Sequence, residues 1–214
     1  MLAYQKQFIE FALSQQALQF GEFTLKSGRI SPYFFNAGKF DTSEALNKLG
    51  QFYAQAIHAA NPDYDMLFGP AYKGIPLVCT TAISMNQMYQ KNMPYAFDRK
   101  EAKDHGDKGL IVGAPLQGNV LIIDDVITAG TAVNYSFSLI NESGAKPAGV
   151  VIMLDRQEKG SKNISAIEEI KHKYGIPVIS IVTLNDIQRY LDGNSEFTQH
   201  FEKIAKYREQ YGAR

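Results

Sequence analysis

Residues 120–133 of the chain read VLIIDDVITAGTAV. Four branched apolar residues run directly into two acids, Asp124 and Asp125, and a loop of small residues at 128–132 follows. A short run of branched apolar residues suits a strand buried on both faces of a parallel sheet. In an open α/β sheet, ligands bind at the carboxyl ends of the strands, which is where these acids fall. Small residues let backbone N–H groups approach an anion, and a helix starting near Thr131 adds the positive end of its dipole. Hydroxyls or a metal at the carboxylates and a phosphate at the loop match the two ends of a phosphorylated sugar. The competing reading makes one acid a helix cap and Gly130 a turn residue.

Outward from this string, apolar strands alternate with helices, which argues for a mostly parallel sheet flanked by helices. Before it, the pattern predicts a first helix running from Phe8 past Leu18 to a stop at Gly21. Two extended pieces follow over 23–36, around a Ser27–Gly28 turn. A helix is expected from Ala45 to Ala60, with Asp41 and Glu44 at capping-box spacing. A strand at 66–68, a turn at 69–74 and a further helix come next, then a strand at 95–97. Residues 98–107 are dense in charge and read as an exposed loop. After the string, a helix is expected from Thr131 to Ser143, a strand at 148–154 ending at Asp155 and Arg156, a helix at 164–174 and a strand at 177–182. Asn185 and Ser195 are the expected caps of two closing helices. The N-terminal hairpin breaks the alternation and reads as a small flap, so 1–214 forms one domain with a hood made mainly by about 1–40.

Bulk composition sets limits. Lys+Arg and Asp+Glu are both 22, so the formal net charge is zero, which argues against whole-surface attraction to nucleic acid or membrane. Anions must be held by local clusters. The one cysteine, Cys79, lies in the apolar-rich run IPLVCTTAI and reads as a buried thiol. Charges and glutamines near the N-terminus do not suit a signal peptide, and no stretch has transmembrane length, so a cytoplasmic address is expected.

The whole 120–133 string resembles the phosphoribosyl-pyrophosphate (PRPP) motif of the type I phosphoribosyltransferases. Residues 25–36 (LKSGRISPYFFN), 69–75 (GPAYKGI) and 97–106 (FDRKEAKDHG) resemble the hood, pyrophosphate loop and catalytic loop of the bacterial members that act on orotate. The resemblance covers essentially the whole chain and departs at no motif position. It implies the type I fold, with its hood, and transfer of the phosphoribosyl group from PRPP to N1 of orotate, giving orotidine 5′-monophosphate and diphosphate in pyrimidine (UMP) synthesis. Mg²⁺ is implied with PRPP, carried mainly by the substrate and touching Asp124 and Asp125 at most through water. A homodimer is implied as well, its loop 98–109 reaching the neighbouring active site.

By the same resemblance, PRPP is held by Lys26, Tyr72, Lys73, Arg99, Lys100, Lys103, His105, Asp124, Asp125, Val126, Ile127, Thr128, Ala129, Gly130, Thr131 and Ala132. Lys103, Asp125 and Lys26 are the implied catalytic residues, and His105 binds phosphate or moves a proton. Orotate falls to Phe34, Phe35, Thr128 and Arg156. Adjacent strand residues point to opposite faces, so one of the two Phe rings is expected at the base. A guanidinium can grip the base's carboxylate in bidentate fashion, though Arg156 could equally pair with Asp155 or Glu158. Two other readings compete. A purine phosphoribosyltransferase would share 120–133 but has no use for Arg156 and the 26–35 hood. A PRPP-binding regulator needs a basic nucleic-acid surface that a neutral chain does not suggest.

Overall fold

The computed structural model describes the chain except Lys26, residues 104–108, 128–129, 161–162, Gly193, 195–196 and Arg214, and it leaves the side chains of 102 and 103 undescribed. The elements run α1 (Ala3–Ser14), β1 (Leu18–Thr24), β2 (Ile30–Phe35), a 3₁₀ turn (Ala37–Lys39), α2 (Ser43–Ala60), β3 (Met66–Gly69) and α3 (Gly74–Tyr89). They continue through β4 (Tyr95–Lys103), β5 (Gly109–Gly113), β6 (Asn119–Ile123), α4 (Thr131–Glu142), β7 (Lys146–Asp155), α5 (Ala166–Tyr174), β8 (Val178–Thr183), α6 (Leu184–Asp192) and α7 (Thr198–Tyr211).

Six strands form one sheet in the order β5-β4-β3-β6-β7-β8, parallel except for the β4–β5 edge pair. Successive strand residues alternate between its faces. Leu67, Leu121, Ile123, Val151 and Met153 join the core built with α1, α2, α6 and α7. Met66, Phe68, Val120, Ile122 and Ile152 join the opposite core, under α4 and α5. Branched apolar residues therefore occupy positions 120–123 of β6, because neither face meets water there.

Strand order reverses between β3 and β6. From β3 the chain moves to β4 on one side; from β6 it moves to β7 on the other. That switch point opens a crevice at the carboxyl ends of β3 and β6. The turn at 69–74 and the acids Asp124 and Asp125 stand on its two rims.

Several local expectations are corrected. The first helix stops at Ser14: Gln16 takes φ 55 and the Ala17 N–H returns to the Ala12 carbonyl, so Leu18 and Gly21 belong to β1. Thr42, not Asp41, caps α2 by accepting from the Ala45 N–H at 3.1 Å, while exposed Glu44 pairs with Lys48. The charged segment after Phe97 is not wholly a loop. β4 continues to Lys103 and pairs with β5, a strand unmarked by the sequence pattern. Charge does not prevent backbone pairing, and at a sheet edge it discourages pairing with other chains. Asn185 lies inside α6, where Thr183 and Asp186 share the capping bonds. Ser195 lies outside the described residues.

The hood also has a second contributor. β1 and β2 form their own antiparallel pair. Phe20 meets Phe197 and His200, and Tyr33 meets Tyr207, so the C-terminal helices back the hood.

Gly69 ends β3 where the chain must turn at once into α3. A methyl built there would lie 2.7 Å from Val78 Cγ1 and nearer still to the Gly74 carbonyl. Gly69→Ala is expected to cost about 1–3 kcal/mol, the usual penalty of overpacking, and to lower the thermal midpoint. An unchanged midpoint in calorimetry would show that the turn is looser than described.

Candidate active site

Asp124 and Asp125 follow β6 and stay tied to β7: the Asp124 N–H donates to Val151, and the Asp125 carbonyl accepts from the Met153 N–H. Each acid is 7% exposed. The Tyr53 hydroxyl donates to the Asp124 carbonyl at 2.6 Å. Asp124 Oδ1 accepts from the Asp125 N–H at 2.8 Å, and Asp125 Oδ1 accepts from the Val126 N–H at 2.8 Å. Asp125 Oδ2 meets Lys73 Nζ at 2.5 Å. Neither side chain caps α4: the N-cap is Gly130 at φ 69, and it makes no side-chain cap bond. The reading of these acids as helix caps therefore fails.

Burial pushes the Asp124 carboxyl up to about 7; the Asp125 charge adds to this, while the Asp125 N–H and Lys73 oppose it.

Gly130 takes the left-handed conformation that L side chains rarely adopt. It leads directly into Thr131 and Ala132 at the start of α4, whose first turn holds no acid. A helix N-terminus without a side-chain cap has free N–H groups and a positive dipole end, which suits an anion. Val126 and Ile127 are half-buried beside the acids. Thr128 and Ala129 lie outside the described residues.

The other rim is the 69–74 turn. Its Ala71 N–H donates to Asp98 Oδ1 at 2.5 Å, and Asp98 is buried at 4% exposure. Asp98 therefore anchors the turn to β4, a role unmarked in the sequence because it reads as one more charge in a charged run. Tyr72 is 69% exposed, and Lys100 Nζ stands 5.3 Å from the centre of its ring. Lys73 reaches from this turn across to Asp125. The pair lines a cleft of about 320 Å³ together with Phe40, Leu46, Pro76, Leu77 and Met153. Arg99 also lies on β4. Lys26, His105 and the side chain of Lys103 fall outside the described residues.

Phe34 and Phe35 divide as a strand requires. Phe34 is 37% exposed and stacks on Phe23, while Phe35 packs toward Phe8 and Phe40 in the core. Arg156, just past β7, resolves its alternatives in favour of Glu158, at 2.7 Å. Its guanidinium lies 4.5 Å from the centre of the Tyr33 ring, against hood strand β2. Glu158, Tyr33 and Tyr53 join the site without a sequence signal.

Among the described residues, no group of three or more His, Cys, Asp or Glu stands ready to hold a metal, and no helix is long and apolar enough to cross a membrane.

A mostly parallel sheet with two acids at its switch point and a glycine-capped helix start beside them is the arrangement of an α/β domain suited to a phosphosugar. The phosphoribosyl transferase domain family matches residues 38–183. Orotate phosphoribosyltransferase of Yersinia pestis (strain Pestoides F) is 58% identical over 212 residues, covering 99% of each chain. The crystal structure of orotate phosphoribosyltransferase from Francisella tularensis superposes with a TM-score of 0.89 at 48% identity, covering 96% of this chain and 99% of that one. Leishmania donovani UMP synthase shares the fold, with a TM-score of 0.75 at 22% identity, over 96% of this chain and 42% of that one. The chain belongs to the phosphoribosyltransferase family, in its orotate phosphoribosyltransferase branch.

Asp124 gives a pH test. Its carboxyl titrates near 7 in the folded chain and near 3.9 when unfolded. The folded state therefore binds more protons between these values. The stabilisation is full below about pH 4 and is lost as pH rises through 7. Asp124→Asn keeps the acceptor and removes the charge. It is expected to raise the thermal midpoint at pH 8, with little gain at pH 4.5. An equal shift at both pH values would deny the buried charge its cost.

Proposed function

We propose that this chain transfers the phosphoribosyl group of PRPP to N1 of orotate, forming orotidine 5′-monophosphate and releasing diphosphate. The observation that carries the reading is the meeting of three groups at one sheet edge: the Asp124–Asp125 pair, the uncapped start of α4, and Arg156 against the hood. Carboxylates accept hydrogen bonds from the ribose 2′ and 3′ hydroxyls. The 130–132 backbone receives the 5′-phosphate. The 69–74 turn, with Tyr72, Lys73 and Lys100, faces the diphosphate.

In the reaction, the bond from C1 of the ribose to the diphosphate oxygen breaks and the bond to N1 forms. The sugar becomes cation-like while negative charge gathers on the leaving group. Asp125 lies where it can favour the first, and the lysines stabilise the second. N1 of orotate readily carries the anionic electron pair, so the chemistry asks mainly for positioning. The resemblance adds Lys26, Lys103, His105 and Thr128.

Mg²⁺ fits as an ion carried by the substrate. Two carboxylates fall short of an oxygen cage, and they would meet the ion through its waters. Bound there, it would neutralise charge on the diphosphate. Arg156, held by the hood, would take the orotate carboxylate, and exposed Phe34 offers the ring surface. A place in pyrimidine synthesis in the cytoplasm is consistent with the reading.

Orotate absorbance should fall on mixing the protein with PRPP and Mg²⁺; no consumption would overturn the proposal. Arg156→Ala should lower kcat/KM for orotate by about 2–4 kcal/mol, as expected for a desolvated charge pair losing one partner. The KM for PRPP should barely change. An unchanged orotate constant would remove Arg156 from the base site.

The proposed homodimer has its own test. Lys103→Ala and Asp125→Asn are each expected to inactivate. Subunit exchange between them should restore about a quarter of wild-type activity, because half the dimers are mixed and each has one intact site. Exchange without recovery would confine the loop to its own chain.

A further inference from the structure

Arg156 is fastened along one edge. Glu158 Oε1 accepts from Arg156 Nε at 3.0 Å and from Nη2 at 2.7 Å, and it also accepts from the Tyr33 hydroxyl at 2.9 Å. Burial holds the Tyr33 hydroxyl well above the usual phenol range, so it remains a donor at neutral pH. The Ser31 hydroxyl lies 3.5 Å from Nη2. On the far side of the carboxylate, Arg29 Nη1 stands 4.0 Å from Oε2, and Arg29 Nη2 donates to the Lys159 carbonyl at 3.0 Å.

The backbone produces this arrangement. Gln157 takes φ 52 and its N–H donates to Asp155 Oδ1, so the chain turns sharply after β7 and Glu158 folds back onto Arg156. A non-glycine residue in that region is uncommon and marks a constrained turn. The side chains of Arg156 and Glu158 are 22% and 13% exposed, so the pair is largely shielded from solvent.

We infer that Glu158 is a positioning residue for the base substrate: it holds the Arg156 guanidinium by its Nε–Nη2 edge against the Tyr33 ring and so fixes the orientation in which it meets the ligand's carboxylate. This rests on the proposed role of Arg156 in orotate binding. A free arginine loses much rotamer freedom when it seizes a carboxylate. One already fixed by a neighbouring acid and ring gives up less, and this preorganisation raises affinity. Length matters here as well as charge. Glutamine at 158 keeps an acceptor at the same reach, whereas aspartate keeps the charge and falls short.

The test is a cycle of Glu158 variants with and without Arg156, read as kcat and as separate KM values for orotate and PRPP. Glu158→Ala is expected to raise the orotate KM about tenfold, the scale of coupling within one hydrogen-bond network, and to leave the PRPP KM unchanged. Glu158→Gln should stay within about threefold of wild type, while Glu158→Asp should resemble Glu158→Ala, because positioning depends on reach. In the Arg156→Ala background, Glu158→Ala should have no further effect. Tyr33→Phe keeps the ring and drops one bond, so it should move the orotate KM the same way by less. An equal rise in both KM values, or the same loss with and without Arg156, would assign Glu158 a merely structural role and overturn the inference. If Arg156→Ala alone leaves orotate use intact, it is the reading of the base site that fails.

Discussion

Two adjacent acids buried at the end of one strand set the terms for the rest of the structure. Taking a carboxylate out of water is costly, and a second carboxylate beside it adds repulsion. Asp124 bears that cost visibly, with its carboxyl pushed up to about 7. The chain holds the pair in place through backbone rather than through salt bridges alone. The β6–β7 ladder continues past Ile123, Tyr53 clamps the Asp124 carbonyl, and Lys73 answers Asp125 from another element. For Lys73 to arrive there, β3 must stop at the switch point and turn into α3 within a few residues. That requirement is why Gly69 and Gly74 leave no room for a methyl.

The site is thus divided into complementary halves before any ligand is considered. In the proposed reading Asp125 accepts from hydroxyls and Lys73 donates to phosphates, and here each satisfies the other at 2.5 Å. A phosphorylated sugar offers one partner to each half, so the buried Asp125 would keep a partner while the exposed Lys73 turns to phosphate. A ligand with only phosphate would draw Lys73 away and leave the buried Asp125 with no better partner. The acids therefore favour ligands that carry both features.

Legibility in the sequence followed how local each determinant is. The β6 string was readable because an apolar run, two acids and a Gly-containing loop act within fourteen consecutive positions, 120–133. The helix expected at 164–174 forms as α5 (Ala166–Tyr174), its start held by a Ser165–Glu168 cap that acts across three residues. The errors arose where a distant partner decides. β5 is an edge strand of half-buried residues, and its pairing with a charge-rich β4 has no signature in composition. The first helix ends at Ser14, two residues before a left-handed glutamine, which carries no breaker signal. Asp98 looks like part of a solvated run and is instead buried against the 69–74 turn. Arg156 was recognisable by its place at the carboxyl edge. Its choice of Glu158 over Asp155 depends on the turn at Gln157 and on Tyr33, far away in the chain.

That last pairing bears on how the base end can discriminate. A buried arginine without a partner would strongly reject any ligand unable to neutralise it, because an unpaired buried charge is expensive. Arg156 is already balanced by Glu158. A base lacking a carboxylate therefore leaves no orphaned charge behind and forfeits only the bonds it cannot make. In the proposed reading, discrimination at this end comes from attraction gained by the right ligand, with little penalty on the wrong one. The ribose end works differently in that reading, since Asp124 carries a standing electrostatic cost. On that reading the hood and the switch point would supply specificity by opposite means: the first by a cation paired in advance, the second by carboxylates whose burial is costly until hydroxyls arrive.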